Sequence, residues 1–289
     1  MLAAAAVLPS DIQAQRFGDD AVPVACRTTS YRRTSRVVAG TVFVGGNIAL
    51  YEYFRRSWWA GEKADFFVKD DWDLDFRDQD KFGHAWGGYW LTRAGTWLLQ
   101  GSCVSPRKAV VMAAAYATLF QLQIEYWDGF QEEYGFSFPD LLTNAVGAGY
   151  ATAQVFVKPL RHVTPTVSYA RTAALKADHG DLRRTVDYSG QTYWLSADVE
   201  AMLPPAAKRW WPGILRASIG HSITDWVDPV TGTQMRADRK LVLSLDLDPR
   251  RLPGNHPAWK LTKDILAHYR WPAPALVVTP KAEFVLWYR

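Results

Sequence analysis

Residues 109–127 read AVVMAAAYATLFQLQIEYW. Ala, Leu, Met and Gln are strong helix formers, and the run holds neither Gly nor Pro, so it predicts a helix. At 1.5 Å per residue it has about the length that crosses a bilayer. Working outward, two apolar segments of similar length flank it, Gly83–Gly101 before and Phe138–Leu160 after. Ser137 or Pro139 marks the start of the second flank, and Pro159 lies near its end. A further apolar segment, Val37–Phe54, precedes them all, interrupted by Gly40, Gly45, Gly46, Asn47 and Glu52. Short loops join the later segments, so consecutive helices should run antiparallel. The expected fold is mainly α: a four-helix bundle over 37–160, after a loose polar segment over 1–36.

Up-down-up threading brings the start of one helix, the end of the next and the start of the third to one end. Three polar clusters occupy those points: Asp80-Lys81-Phe82-Gly83-His84, Glu125-Tyr126-Trp127-Asp128, and Asp140-Leu141-Leu142-Thr143-Asn144. Asp80 and His84 are four apart, as are Asp140 and Asn144, and Glu125 and Asp128 are three apart; each pair shares a helix face. The candidate site is therefore Asp80, His84, Glu125, Asp128, Asp140 and Asn144. Carboxylates with one imidazole form a ligand set for a divalent metal, the cofactor this chemistry would take. The same groups could do acid–base chemistry, with His84, Glu125 and Asp128 as catalytic candidates. Lys81 could neutralise the cluster or hold a phosphate head group. The bland account is open too: Asp80 and Asp140 cap helices, and the remainder forms a satisfied polar knot. A di-iron centre lacks its Glu-x-x-His pairs, and no placed Ser or Cys makes a nucleophilic triad.

The chain has 289 residues, 48% of them hydrophobic and 21% charged, with a net charge of +4. Its 14 Trp, 13 Tyr and 13 Phe suit either a membrane interface or aromatic packing in water. Polar residues within the apolar segments must face a bundle interior if the helices lie in lipid. A membrane-embedded or membrane-apposed bundle is the favoured expectation. Arg107-Lys108 lies on the side of the Arg-rich N-terminus, opposite Glu132-Glu133, which puts the pocket outside the cytoplasm. No basic face or nucleic-acid motif appears, so no nucleic-acid partner is expected; membrane or envelope lipid is.

Met1–Pro9 is a short apolar run, Ile12–Gln15 loosely resembles a cleavage site, and Pro23-Val24-Ala25-Cys26 is a faint acylation motif. Cys26 and Cys103 make no disulfide framework, although an envelope location would let them pair. After Leu160 the composition changes, and residues 161–289 are expected to form a small β-containing unit. A β-prone run falls within 187–196, strands at Leu215–Ile223, Lys240–Leu247 and Ala282–Tyr288, and helical potential around Ala170–Lys176. The basic-aromatic Lys208-Arg209-Trp210-Trp211 suits a membrane surface or a packed loop. The connector 55–80 should contain short helical pieces and could cover the pocket.

Asp80-Lys-x-Gly-His84, Glu125-x-x-Asp-Gly-Phe130, Tyr134-Gly-Phe-Ser-x-x-Asp140 and Asn144-x-x-Gly147 together resemble the YfiM-type predicted periplasmic lipoproteins, domain-of-unknown-function family 2279. More distantly the pattern is similar to VanZ-like membrane proteins. Longer family members continue into segments like 187–196 and the Leu-Ser-Leu-Asp of 243–246, so the resemblance covers roughly 75–250. It implies a bacterial cell-envelope location in membrane or periplasm and carries no established activity. The chain departs from the lipoproteins in lacking a convincing acylated Cys. The leading expectation is a pocket for a metal or an anionic envelope component. The alternatives are a metal-dependent hydrolase or transferase acting on lipid or cell-wall material, and a structural envelope scaffold.

Overall fold

A computed structural model describes residues 24–178 and 185–288. The signal-like run Met1–Pro9 and the stretch Ile12–Gln15 lie outside these. The chain forms two compact units. One comprises the residues up to Asp71 with Gly87–Lys158 and His256–Ala258; the other comprises Trp72–Trp86, Pro159–Asn255 and Trp259–Arg289.

Four long helices appear among the described residues: α1 (Thr29–Ser57), α2 (Gln79–Gly101), α3 (Pro106–Asp128) and α4 (Phe138–Phe156). α1 begins well before Val37, because Thr29–Arg36 is rich in helix-permissive Arg and Ser with no Pro or Gly to stop it. Pro106 opens α3, where its missing N–H costs nothing. Ser137 caps α4, its side chain accepting the Asp140 N–H. The connector between α1 and α2 holds no helix. Its only regular element is a two-residue strand, β1 (Val68–Lys69), paired in parallel with β2 (Phe136–Ser137).

Within the first unit, small residues let helices close up. A Cβ on Gly88 would sit 2.2 Å from the Asn144 carbonyl oxygen, so α2 and α4 touch backbone to backbone there. Leu99, Ala109 and Ala113 pack with Phe43 and Val104. Cys26 and Cys103 form a disulfide, which joins the segment before α1 to the turn after α2. α1 is the one helix among the described residues long and apolar enough to cross a membrane; α2, α3 and α4 fall short of that hydropathy.

The second unit is larger in β structure than the sequence predicts, and helix makes up about half of the chain beside this antiparallel sheet. Six antiparallel strands follow one another in order: β3 (Val163–Tyr169), β4 (Gln191–Ala197), β5 (Leu215–Ile223), β6 (Arg239–Leu247), β7 (Ala273–Val277) and β8 (Glu283–Tyr288). The sequence misses β3 and β7 because each contains a proline, Pro165 and Pro274. The free edge of β3 is met by residues 268–270: Val167 donates to the His268 carbonyl at 3.1 Å, and Arg270 donates to the Val167 carbonyl at 2.9 Å.

One face of this sheet is buried, and it is polar. Arg216, 1% exposed, makes a two-pronged bond to Asp246 at 2.8 and 3.0 Å and donates to the Ala267 carbonyl. Ser196 donates to Asp246 at 2.9 Å and meets Thr166 and Ser218 at 3.0 Å each. Arg270 lies 3.6 Å over the Trp194 ring and donates to Ser244 and to the Leu245 carbonyl. Burial pushes the Arg270 pKa down to about 10, against the opposing pull of Asp246. Trp194, Val242, Ala275 and Val277 supply the apolar part of this interior.

Candidate acidic site at the helix ends

Ser137 is the hub of the polar cluster in the first unit. Its backbone N–H donates to Glu125 Oε2 at 3.3 Å. Its hydroxyl donates to Asp71 Oδ1 at 2.8 Å and accepts the Asp140 N–H at 3.0 Å. Two carboxylates, those of Asp71 and Glu125, thus bond one serine at the end of α3 and the start of α4, and the Asp140 carboxylate has an oxygen within 4.8 Å of each of them. All are buried: Asp71 is 6% exposed, Glu125 1% and Asp140 7%. The parallel pairing of β1 with β2 explains the arrangement, since it lays the connector against Phe136–Ser137 two residues before Asp71. Asn144, one turn beyond Asp140 in α4, is 1% exposed.

Asp128 goes elsewhere. Its carboxylate accepts the Trp59 indole N–H at 2.5 Å, tying the end of α3 to the end of α1. Its carbonyl accepts the N–H groups of Gln131 and Gly135, which shapes the loop into α4. A surface cleft in this unit is lined by Trp58, Glu62, Gln131, Glu132, Glu133 and Tyr134, and none of the predicted site residues lines it.

The other two candidates belong to the second unit. α2 starts at Gln79, so Asp80 and His84 do occupy one helix face. Asp80 is engaged by its neighbour: Lys81 Nζ lies 2.8 Å from Asp80 Oδ2, and the Lys81 N–H donates to Oδ1 at 2.8 Å. Lys81 is itself only 4% exposed, which rules out a lysine reaching freely for a head group. Around them, Gln79 donates to the Gln191 carbonyl and bonds His221 Nδ1 at 2.8 Å, while Phe82 stacks on His221 at 4.2 Å. Burial, with help from Arg239 and against Asp78, lowers the His221 pKa to about 4. Burial, reinforced by Asp80, holds the Tyr193 phenol far above its usual range.

Sequence reasoning missed Asp71 and the central part of Ser137. Asp71 sits in an acidic connector where no period marks it. Its proximity to Ser137 depends on a strand pairing between residues more than sixty apart. Asp70-Asp71 beside Trp72 was the available signal, and it is weak.

Helices with buried carboxylates at their ends, joined to an antiparallel sheet, define the class as an α and β protein with an acidic helix-end cluster. The family model described as Predicted periplasmic lipoprotein (DUF2279) matches residues 74–157, a span that holds all six candidate residues. That description sets the compartment as the cell envelope. No curated protein and no solved structure matches the chain. Nothing in these comparisons supports the VanZ-like likeness.

Proposed function

We propose that this envelope protein packs its four long helices as a bundle at the bacterial membrane and holds a divalent cation at one end of it. The gathering of the Asp71, Glu125 and Asp140 carboxylates beside Ser137 is the observation that carries the reading. Three buried carboxylates close together repel an anion and favour a hard or borderline cation. This ranks a metal above an anionic envelope component. In the proposal, Asn144 adds an amide oxygen, and Asp128 braces the end of α3; the sequence also offers Asp80 and His84 as ligands, and the His84→Ala variant below tests the imidazole.

The membrane part rests on the pattern of exposure. Val37, Val44 and Ile48 of α1, Leu119 and Met112 of α3, and Leu142 and Val146 of α4 are all more than half exposed. Polar Thr92, Thr96, Gln121, Glu125, Asn144 and Gln154 are buried. Helices in lipid turn their polar groups inward in this way. Hydrolysis or transfer on lipid or cell-wall material would extend the reading, with His84 and Glu125 as acid–base groups.

The test is isothermal titration of the purified chain with Mn2+, Zn2+ and Ca2+, run with Glu125→Gln, Asp140→Asn and His84→Ala and with a melting curve for each. Binding of one cation that weakens at least tenfold in the first two variants, with folding retained, supports the reading. Loss of affinity in His84→Ala adds the imidazole to the ligand set. A wild-type chain that binds none of the three cations, or variants that bind as the wild type does, would overturn it.

A further inference from the structure

The sheet is built inside out. Its register lines up one row of side chains across five strands: Leu195 opposite Ile219, Ile219 opposite Leu243, Leu243 opposite Leu276, and Leu276 opposite Phe284. Every member of that row is exposed, from 43% at Leu243 to 66% at Phe284. Leu241, Leu245 and Leu247 extend the same face along β6, again exposed. The other face carries the buried Arg216–Asp246 pair and the Ser and Thr network. A water-soluble sheet with one buried face places its leucines inward and its serines outward. Here the alternation is the reverse, which is the pattern of strands that face lipid. At the Tyr193–His221 end the outer face is already covered by the first turn of α2 through Phe82. The uncovered part runs towards the opposite end, where β4 and β6 finish and β5 begins.

That opposite end carries an aromatic and basic rim. Trp211 donates its indole N–H to the Leu215 carbonyl, which fixes Lys208-Arg209-Trp210-Trp211 at the start of β5. Trp210 is 77% exposed, and the Arg209 guanidinium lies 5.0 Å over its ring. Trp271 and Trp287, both more than half exposed, flank Ala273 and its partner Tyr288 at the same end. Exposed indoles beside Lys and Arg, at the edge of an apolar face, match the layer where lipid tails give way to anionic head groups.

We propose that the outward face of this sheet docks on a lipid bilayer with anionic head groups, with leucines against the acyl chains and the Trp210, Trp271 and Trp287 end at head-group level. The six strands among the described residues run five to nine residues, mostly short of the roughly nine to eleven that crossing a bilayer takes, so the proposed contact is with one leaflet. The inference concerns the sheet alone and is independent of any cation at the helix ends.

Because α1 could hold the chain on a membrane by itself, the test reads the sheet directly. A nitroxide is placed at Leu243→Cys or Leu276→Cys in the full, non-reduced chain, with Val230→Cys in a loop as reference. Collision with oxygen and with a water-soluble nickel complex is then measured in phosphatidylglycerol–phosphatidylcholine vesicles. The expected result is oxygen access well above nickel access at 243 and 276, and the reverse at 230. In Lys208→Glu, Arg209→Glu the ratio at 243 should drop towards that of the loop label. Nickel access at 243 and 276 equal to that at 230 would overturn the proposal. So would dipolar broadening that places two copies of the sheet face to face. Labels at two separate leucines guard against one substitution disturbing its own strand.

Discussion

The helical unit and the sheet unit both expose apolar side chains and bury polar ones, but they reach that state by different physics. A helix satisfies its own backbone, so it needs only a sparse polar stripe, and Gln121, Glu125, Asn144 and Gln154 supply it in α3 and α4. A sheet alternates strictly, so one whole face of β4, β5 and β6 turns inward, and its polar members Ser196, Arg216, Ser218 and Asp246 bond one another across the strands beside the apolar Trp194 and Val242. The helical interior therefore tolerates a gap, whereas the sheet interior is one connected network around Asp246. Breaking a member of a connected network leaves its partner buried and unmatched, which is the costlier failure.

The largest expected effect follows from that contrast. Arg216→Met strands Asp246, 2% exposed, without its guanidinium and should cost about 4 kcal/mol in denaturant unfolding of the sheet. Arg216→Met, Asp246→Leu together should recover most of the loss. If the double variant is no more stable than the single one, the network is not the source. Next comes the helical unit: Cys26→Ser, Cys103→Ser opens a loop of 77 residues' separation and should cost about 3 kcal/mol by the same measurement. Hydrogen exchange should show the loss in α1 and α2 with the sheet strands still protected. Gly88→Ala drives a methyl into the Asn144 carbonyl and should cost about 2 kcal/mol, with slowed exchange lost first in α2 and α4. Unchanged stability there would mean that the two helices are free to separate.

The smallest effect is a pH dependence confined to the sheet. His221 has a folded pKa of about 4 against an ordinary value of 6.5, so the unfolded chain takes up the proton first. Stability is complete above pH 6.5 and falls as pH drops towards 4, by about 1 kcal/mol once partial exposure is allowed for. A His221→Gln variant should lose that slope, and a slope that survives would assign it to another group.

The apolar runs, the start of α4 at Ser137 and the polar residues at the helix ends were all legible, because helix period and capping act over three or four neighbours. So was a strand at 240–247, where leucines alternate with Val242, Ser244 and Asp246. Two things were not. Asp71 joins Ser137 only through a parallel pairing of two-residue strands, and nothing local announces such a contact. The larger gap concerns orientation. A period of two states that a strand has two different faces; it does not state which one the rest of the chain will cover.

The sequence by itself determined where the helices run, which carboxylates lie at their ends, and that leucine and polar residues take turns along β6. Only the tertiary structure decided that the polar side turns inward and the leucines outward. That choice depends on whether Asp246 finds Arg216 from a neighbouring strand and whether Arg270 finds Trp194. Such pairings depend on register and on contacts between residues far apart in the chain, which no stretch of sequence carries alone.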